Sequence, residues 1–160
     1  VITAYRLAHE LALAENPDPF KPALTENRWN SAGVQVAYTS EHPALAALEL
    51  LTYWGNYPSM RGYHLFTFTF APDEVEDALK RQADIDPVEK SQTRRYGDAW
   101  VREARSLVLR VPSVVVPMSF NYLINPNHPR YDPRAVTAHG PFVYDKRIAE
   151  LIERTKNASH

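Results

Sequence analysis

Several side chains in this sequence have types and settings suited to chemistry. Glu49 is the only ionisable residue in PALAALELLTYW (43–54), and the positions one helical turn away are Leu45, Ala46, Thr52 and Tyr53. A carboxylate there either lies on the one wet stripe of a helix or points into a cleft, where it could stabilise a developing positive charge. Charged residues are mostly exposed, so the wet stripe is the default reading. Arg28, in ENRWNSAG (26–33), carries a guanidinium able to hold a phosphate or carboxylate in a bidentate fork, with Trp29 beside it to pack or stack. The competing reading is a solvated loop arginine next to a core tryptophan. Arg6 lies inside an apolar run, on its polar face or lining a pocket. Tyr38 ends a strand-like run, where it could stack on a planar ligand, donate its hydroxyl or be half-buried like many strand tyrosines. The block VPSVVVPMSFNYLINPNHP (111–129) sets Ser113, Ser119, Asn121 and Asn125 among apolar residues, where each polar group needs a partner. Turn formation at Asn125-Pro126 and His128-Pro129 is the structural alternative.

Other chemistries have no support. The six histidines show no HxxxH or HxH spacing, so no metal site is expected. Cysteine is absent, which excludes disulfides, thiolate metal sites and cysteine nucleophiles. There is no GxSxG elbow, no GxGxxG and no Walker-type loop, and five glycines leave little material for one. A bound nucleotide would have to be held largely by side chains. Lys plus Arg total 18 and Asp plus Glu 19, a net charge of −1, so no nucleic-acid binding by bulk charge is expected. No apolar run approaches the roughly 18 residues of a membrane span, and VITAYRLAHE has no signal-peptide pattern. The expectation is a soluble, cytoplasmic, bacterial-type protein without a membrane.

The elements that must position these groups follow from pattern. With 160 residues, 44% apolar and 23% charged, the chain suits a single domain over 1–160 with a real core. Strands are predicted at 2–8, 33–40, 63–70 and 120–125, and a helix at 43–54 with Pro43 in its first turn and Gly55 as its stop. A loop spans 14–32. Helices are predicted from Pro72 to about 83 and over 95–106, with estimated boundaries good to a few residues. LVLRVPSVVVP (107–117) is strand-like but broken at Pro112, which implies an edge, a bulge or two short strands. RAVTAHGPFVY reads as a last strand and DKRIAELIERT as an amphipathic helix. Its apolar Ile148, Leu151 and Ile152 serve either its own domain, the favoured reading, or a homodimer contact. Strands and helices mix without regular alternation, so the fold class is α+β.

AYRLA (4–8), RWNSAGVQVAYTS (28–40), PALAALELL (43–51) and VPSVVVPMSFNYLINPNHPRY (111–131) together resemble the RES domain, the toxin half of a bacterial toxin–antitoxin pair. The stretches fall in the family's order; residues 55–106 show no diagnostic match. The resemblance implies an ADP-ribosyltransferase-like mixed fold, with a split, twisted β core flanked by helices, acting on NAD as substrate and needing no prosthetic group. The family's arginine falls on Arg28, its tyrosine on Tyr38, its glutamate on Glu49 and its serine on Ser113, with Ser119 the alternative. Arg6 matches a second arginine and Asn121 the asparagine of the NYLxNP motif. These assignments imply catalytic roles for Glu49, Arg28, Tyr38 and Ser113, and NAD binding by Arg6, Arg28, Tyr38, Ser113 and Asn121. The implied reaction is cleavage of the nicotinamide–ribose bond by phosphorolysis, with inorganic phosphate as co-substrate, or by hydrolysis. Transfer to a protein side chain and a non-catalytic binding module are the alternatives. The implied partner is an antitoxin of the Xre helix-turn-helix type.

Overall fold

The computed structural model describes residues 1–52 and 60–158. Tyr53, Trp54 and the helix stop at Gly55 lie outside them. In chain order the elements are β1 (Ile2–His9), α1 (Glu10–Glu15), β2 (Ala37–Ser40), α2 (Pro43–Thr52), β3 (Tyr63–Phe70), β4 (Val75–Asp77), α3 (Ala78–Arg81), α4 (Lys90–Arg102), β5 (Val108–Pro112), β6 (Phe120–Ile124), β7 (Val136–Phe142) and α5 (Lys146–Ala158). The strands form one mixed sheet in the order β4-β5-β6-β2-β1-β3-β7. Only β4 and β5 run parallel; the other pairs are antiparallel. The fold is therefore α+β, with helices flanking a twisted sheet.

Strand alternation gives the sheet two different faces. On one, Ala4, Ala37, Phe68, Val108, Tyr122 and Ile124 form a core closed by Phe20. On the other, Leu109, Val111 and Leu123 pack with Trp29, Tyr96 and Trp100. The long loop expected at 14–32 is thus two structural pieces. Asp18 accepts from the Phe20 N–H and from the Tyr131 hydroxyl, fastening the first piece so that Phe20 covers one face. The second piece brings Trp29 to the opposite face.

β1 and β2 pair only at Tyr5↔Ser40, and beyond it the two strands part. The Arg6 guanidinium donates to the Tyr38 carbonyl (2.8 Å) and to the Pro19 carbonyl (2.7 Å). It therefore bridges β1 to a β2 carbonyl beyond the Tyr5↔Ser40 pairing, which is where the sheet is split.

Tertiary pairing overrode local pattern at several elements. The helix expected from Pro72 is a 3₁₀ turn over Pro72–Glu74, the strand β4 and the short helix α3. Glu74 folds back onto the Ala71 N–H (2.7 Å), capping the start of the turn, and Val75–Asp77 leave it in extended form and pair along β5. α4 begins at Lys90 rather than 95, because the Glu89 carboxylate caps the Ser91 N–H; Ala104, at φ 47, ends it. α1 was not anticipated. The ladder of β2 starts only at Ala37, since Val34 O accepts from the Asn30 amide and Gln35 reaches the Pro22 carbonyl instead. α5 buries none of its residues fully: Ile148 and Leu151 are exposed, while Ile152 is half-buried, so only part of its apolar stripe packs on its own domain. No helix among the described residues is long and apolar enough to cross a membrane.

Candidate active site

α2 owes its form to Pro43 at its first turn and a run of Ala and Leu, and it buries Leu45 and Ala46 against the sheet. Glu49 follows Leu45 by one turn, so its side chain is carried toward the same face. It is half-buried, and its Oε1 accepts two hydrogen bonds, from Ser113 Oγ (2.7 Å) and Asn121 Nδ2 (2.7 Å). Among the described residues no donor is placed on Oε2, and Glu49 as a whole is only half-buried.

Ser113 is held by the loop it starts. Pro112 ends β5, and the chain returns to β6 through 113–119. Within that loop Ser113 Oγ accepts from the Val115 and Val116 N–H groups, both at 3.1 Å, and its N–H donates to the Ser119 carbonyl (2.9 Å). With both acceptor positions filled from the backbone, the hydroxyl proton points to Glu49. The acid's hydroxyl partner is Ser113; Ser119 contributes its backbone. Ser113→Ala is expected to remove a bond to a carboxylate and orphan two N–H groups. Stability should fall by about 1–3 kcal/mol in a denaturant melt.

Asn121 lies directly opposite Ser40 across β6 and β2, and opposite Val111 across β6 and β5. Partners in an antiparallel pair share a face, so Ser40 and Asn121 both meet α2. Ser40 Oγ donates to Asn121 Oδ1 (2.9 Å). Glu41 clamps the same strand end, its Oε1 accepting from the Phe120 N–H (2.9 Å). From the C-terminal side, the Tyr144 hydroxyl donates to the Ala47 carbonyl of α2 (2.5 Å), and burial pushes this phenol above its ordinary pKa.

The remaining candidates sit elsewhere. Tyr38 precedes Ser40 by two residues and so shares its face. Its hydroxyl accepts from the Trp29 N–H (2.9 Å) and donates to Asn30 Oδ1 (2.6 Å), which fastens the 27–31 loop. Buried Asn30 spends its amide on the Thr25, Ser31 and Val34 carbonyls, and Gly33 turns the chain at φ 88. These bonds explain RWNSAG as a loop-forming motif. From the other side α4 holds the loop: Thr93 donates to the Arg28 carbonyl, Arg94 Nε to the Asn27 carbonyl (2.8 Å), and Asp98 accepts from the Ser31 N–H (2.9 Å) and Oγ (2.5 Å). Arg28 Nη1 donates to the Pro87 and Val88 carbonyls (3.3 and 3.2 Å), and among the described residues no carboxylate pairs with it. It makes no hydrogen bond to Glu49. Arg6, adjacent to Tyr5, projects to the opposite face of the sheet from Ser40 and Asn121, at the split. Asn125 caps a turn, accepting from the Asn127 N–H (3.0 Å). No group of three metal-ligating side chains occurs among the described residues.

A family model described as RES domain matches residues 3–145. The chain belongs to the RES-domain family. This RES domain is 30% identical over 135 residues to a "Prs ADP-ribosylating toxin" of a Sphingobium species, covering 78% of this chain and 81% of the relative. It is 32% identical over 129 residues to "Toxin Res" of Pseudomonas putida, covering 76% and 84%. Its fold is similar to that of a chain in the crystal structure of the M. tuberculosis MbcT–MbcA toxin–antitoxin complex, with a TM-score of 0.66 over 93% of this chain and 87% of that one. At 12% identity this likeness concerns the fold alone.

Sequence reasoning missed Ser40, Glu41, Tyr144 and the α4 residues that hold the loop. Ser40 had a signal: two residues after Tyr38 on one strand, it must share that face. The α4 contacts had none, because they join segments more than sixty positions apart.

Proposed function

We propose that this RES domain, a single unit over 1–160, is the toxin of a cytoplasmic toxin–antitoxin pair and cleaves the nicotinamide–ribose bond of NAD. The observation that carries the reading is the Glu49 carboxylate, fixed through Oε1 by Ser113 and Asn121 while Oε2 stays open. As the bond from ribose C1″ to nicotinamide nitrogen breaks, positive charge grows on the sugar and nicotinamide leaves neutral with the electron pair. A fixed carboxylate beside that ring, accepting from a ribose hydroxyl through Oε2, stabilises the transition state more than the ground state. Nicotinamide needs no general acid to depart. Arg28, paired with no carboxylate among the described residues, holds the diphosphate, and the Tyr38 ring packs on the ligand, its hydroxyl being committed to the loop. Arg6 supports ligand binding by holding the split open from the far face.

Phosphate attacking C1″ gives ADP-ribose 1″-phosphate; water gives ADP-ribose. A second reading, protein-directed ADP-ribosyl transfer, is favoured by the name of the Sphingobium relative. The partner is an Xre-type antitoxin that blocks the site, and the exposed side of α5 is left for self-association. The test is nicotinamide release by purified, antitoxin-free protein across a phosphate titration. Phosphorolysis requires a rate that rises with phosphate. Release independent of phosphate indicates hydrolysis, label from NAD on a lysate protein indicates transfer, and folded protein that binds NAD without product overturns the enzymatic reading.

A further inference from the structure

We propose that Ser40 is a positioning residue that holds the Asn121 amide in place against Glu49. The inference rests on the reading of Glu49 as the catalytic acid and extends it to a residue that never touches substrate. An asparagine side chain presents a donor on one side and an acceptor on the other, in nearly the same shape. Turned the wrong way, Asn121 would set its carbonyl oxygen against the Glu49 carboxylate, two acceptors in repulsive contact.

The neighbours leave one arrangement. Glu49 Oε1 can only accept, so the amide nitrogen faces it at 2.7 Å. The oxygen must then face Ser40, whose hydroxyl donates at 2.9 Å. Ser40 is 3% exposed, and water has little access to replace that donor. The pair is set by register: Ser40↔Asn121 is the last pairing of β2 with β6, so the strand ladder itself aligns hydroxyl and amide. It is also where β1 pairs with β2, at Tyr5↔Ser40, so the relay stands where the two strands are joined. The chain of donors runs Ser40 to Asn121 to Glu49. With Ser113 on the same oxygen, it leaves Oε2 as the acceptor turned toward the ligand.

Without the Ser40 hydroxyl the buried Asn121 oxygen loses its donor, and the amide is free to rotate away from its 2.7 Å contact with Glu49. The test follows two signals in the full-length protein. One is water exchange of the Asn121 side-chain amide protons by ¹⁵N NMR, assigned by their loss in Asn121→Asp. The other is nicotinamide release from NAD. Ser40→Ala should speed exchange about tenfold and lower kcat about tenfold, with KM changed less than about twofold. Ser40→Thr, which restores the hydroxyl, should recover both. The proposal is overturned if Ser40→Ala leaves exchange and kcat at wild-type values, or if Ser40→Thr is as impaired as Ser40→Ala. If the wild type releases no nicotinamide but exchange still answers to Ser40→Ala, the orienting role stands and NAD cleavage falls. If the wild type turns over and Ser40→Ala changes neither signal, the reverse holds.

Discussion

Glu49→Gln is expected to lower nicotinamide release from NAD about 10²–10³-fold and leave the fold intact. The substitution is unusually clean because the two carboxylate oxygens have different work. Oε1 accepts from Ser113 and Asn121, and among the described residues Oε2 takes no bond. A glutamine can keep both bonds through its amide oxygen and place its NH₂ where Oε2 stood. Only the negative charge and the open acceptor are lost. Stability should stay within about 1–2 kcal/mol of wild type, a change of a few degrees in Tm for a chain of this size. Glu49→Ala should be as inactive but less stable, since it orphans the Ser113 hydroxyl and the Asn121 amide together. A Glu49→Gln protein with wild-type turnover would show that charge at this position does not stabilise the breaking bond.

Gly97→Ala should destabilise the protein by about 3 kcal/mol or more, roughly 10 °C in Tm. The sign is the informative part. Glycine inside a helix is worse than alanine by about 1 kcal/mol, so propensity alone makes this substitution stabilising. In α4, however, a Cβ at Gly97 would stand 1.7 Å from the Trp29 carbonyl oxygen and 2.8 Å from its carbon. Neither is the end of a flexible side chain; backbone must move. Thr93, Arg94 and Asp98 hold residues 27–31 from the same side of α4, so a helix pushed off Trp29 strains all of them. Arg28 shifts with its neighbour, and NAD affinity should fall alongside stability. Calorimetry decides it: a Tm above wild type would mean that α4 does not rest on the Trp29 backbone.

Much of the site was legible because its residues sit in locally coded elements. The Ala/Leu run with Pro43 specifies α2, and the aromatic alternation of 63–70 specifies β3. Ser113 follows a proline that ends a strand, and polar groups among valines had to find partners; Glu49 is that partner for Ser113 and Asn121. What stayed hidden depends on contacts distant in sequence. Val75–Asp77 has no strand pattern and becomes one only because β5 offers an edge. Arg6 left a polar face and a pocket lining both open, and its bonds to the Pro19 and Tyr38 carbonyls depend on where β1 and β2 part, which no local pattern records. The need for glycine at Gly97 comes from the Trp29 backbone packed against α4, a contact no local pattern records.

The most direct measurement is nicotinamide release from NAD, followed by chromatography, for wild-type and Glu49→Gln proteins prepared in parallel and matched in melting temperature. Stoichiometric loss of NAD to nicotinamide by the wild type, with the variant slower by about two orders of magnitude or more, is the expected result. Equal rates in the two proteins, or none in a folded wild type, would contradict it.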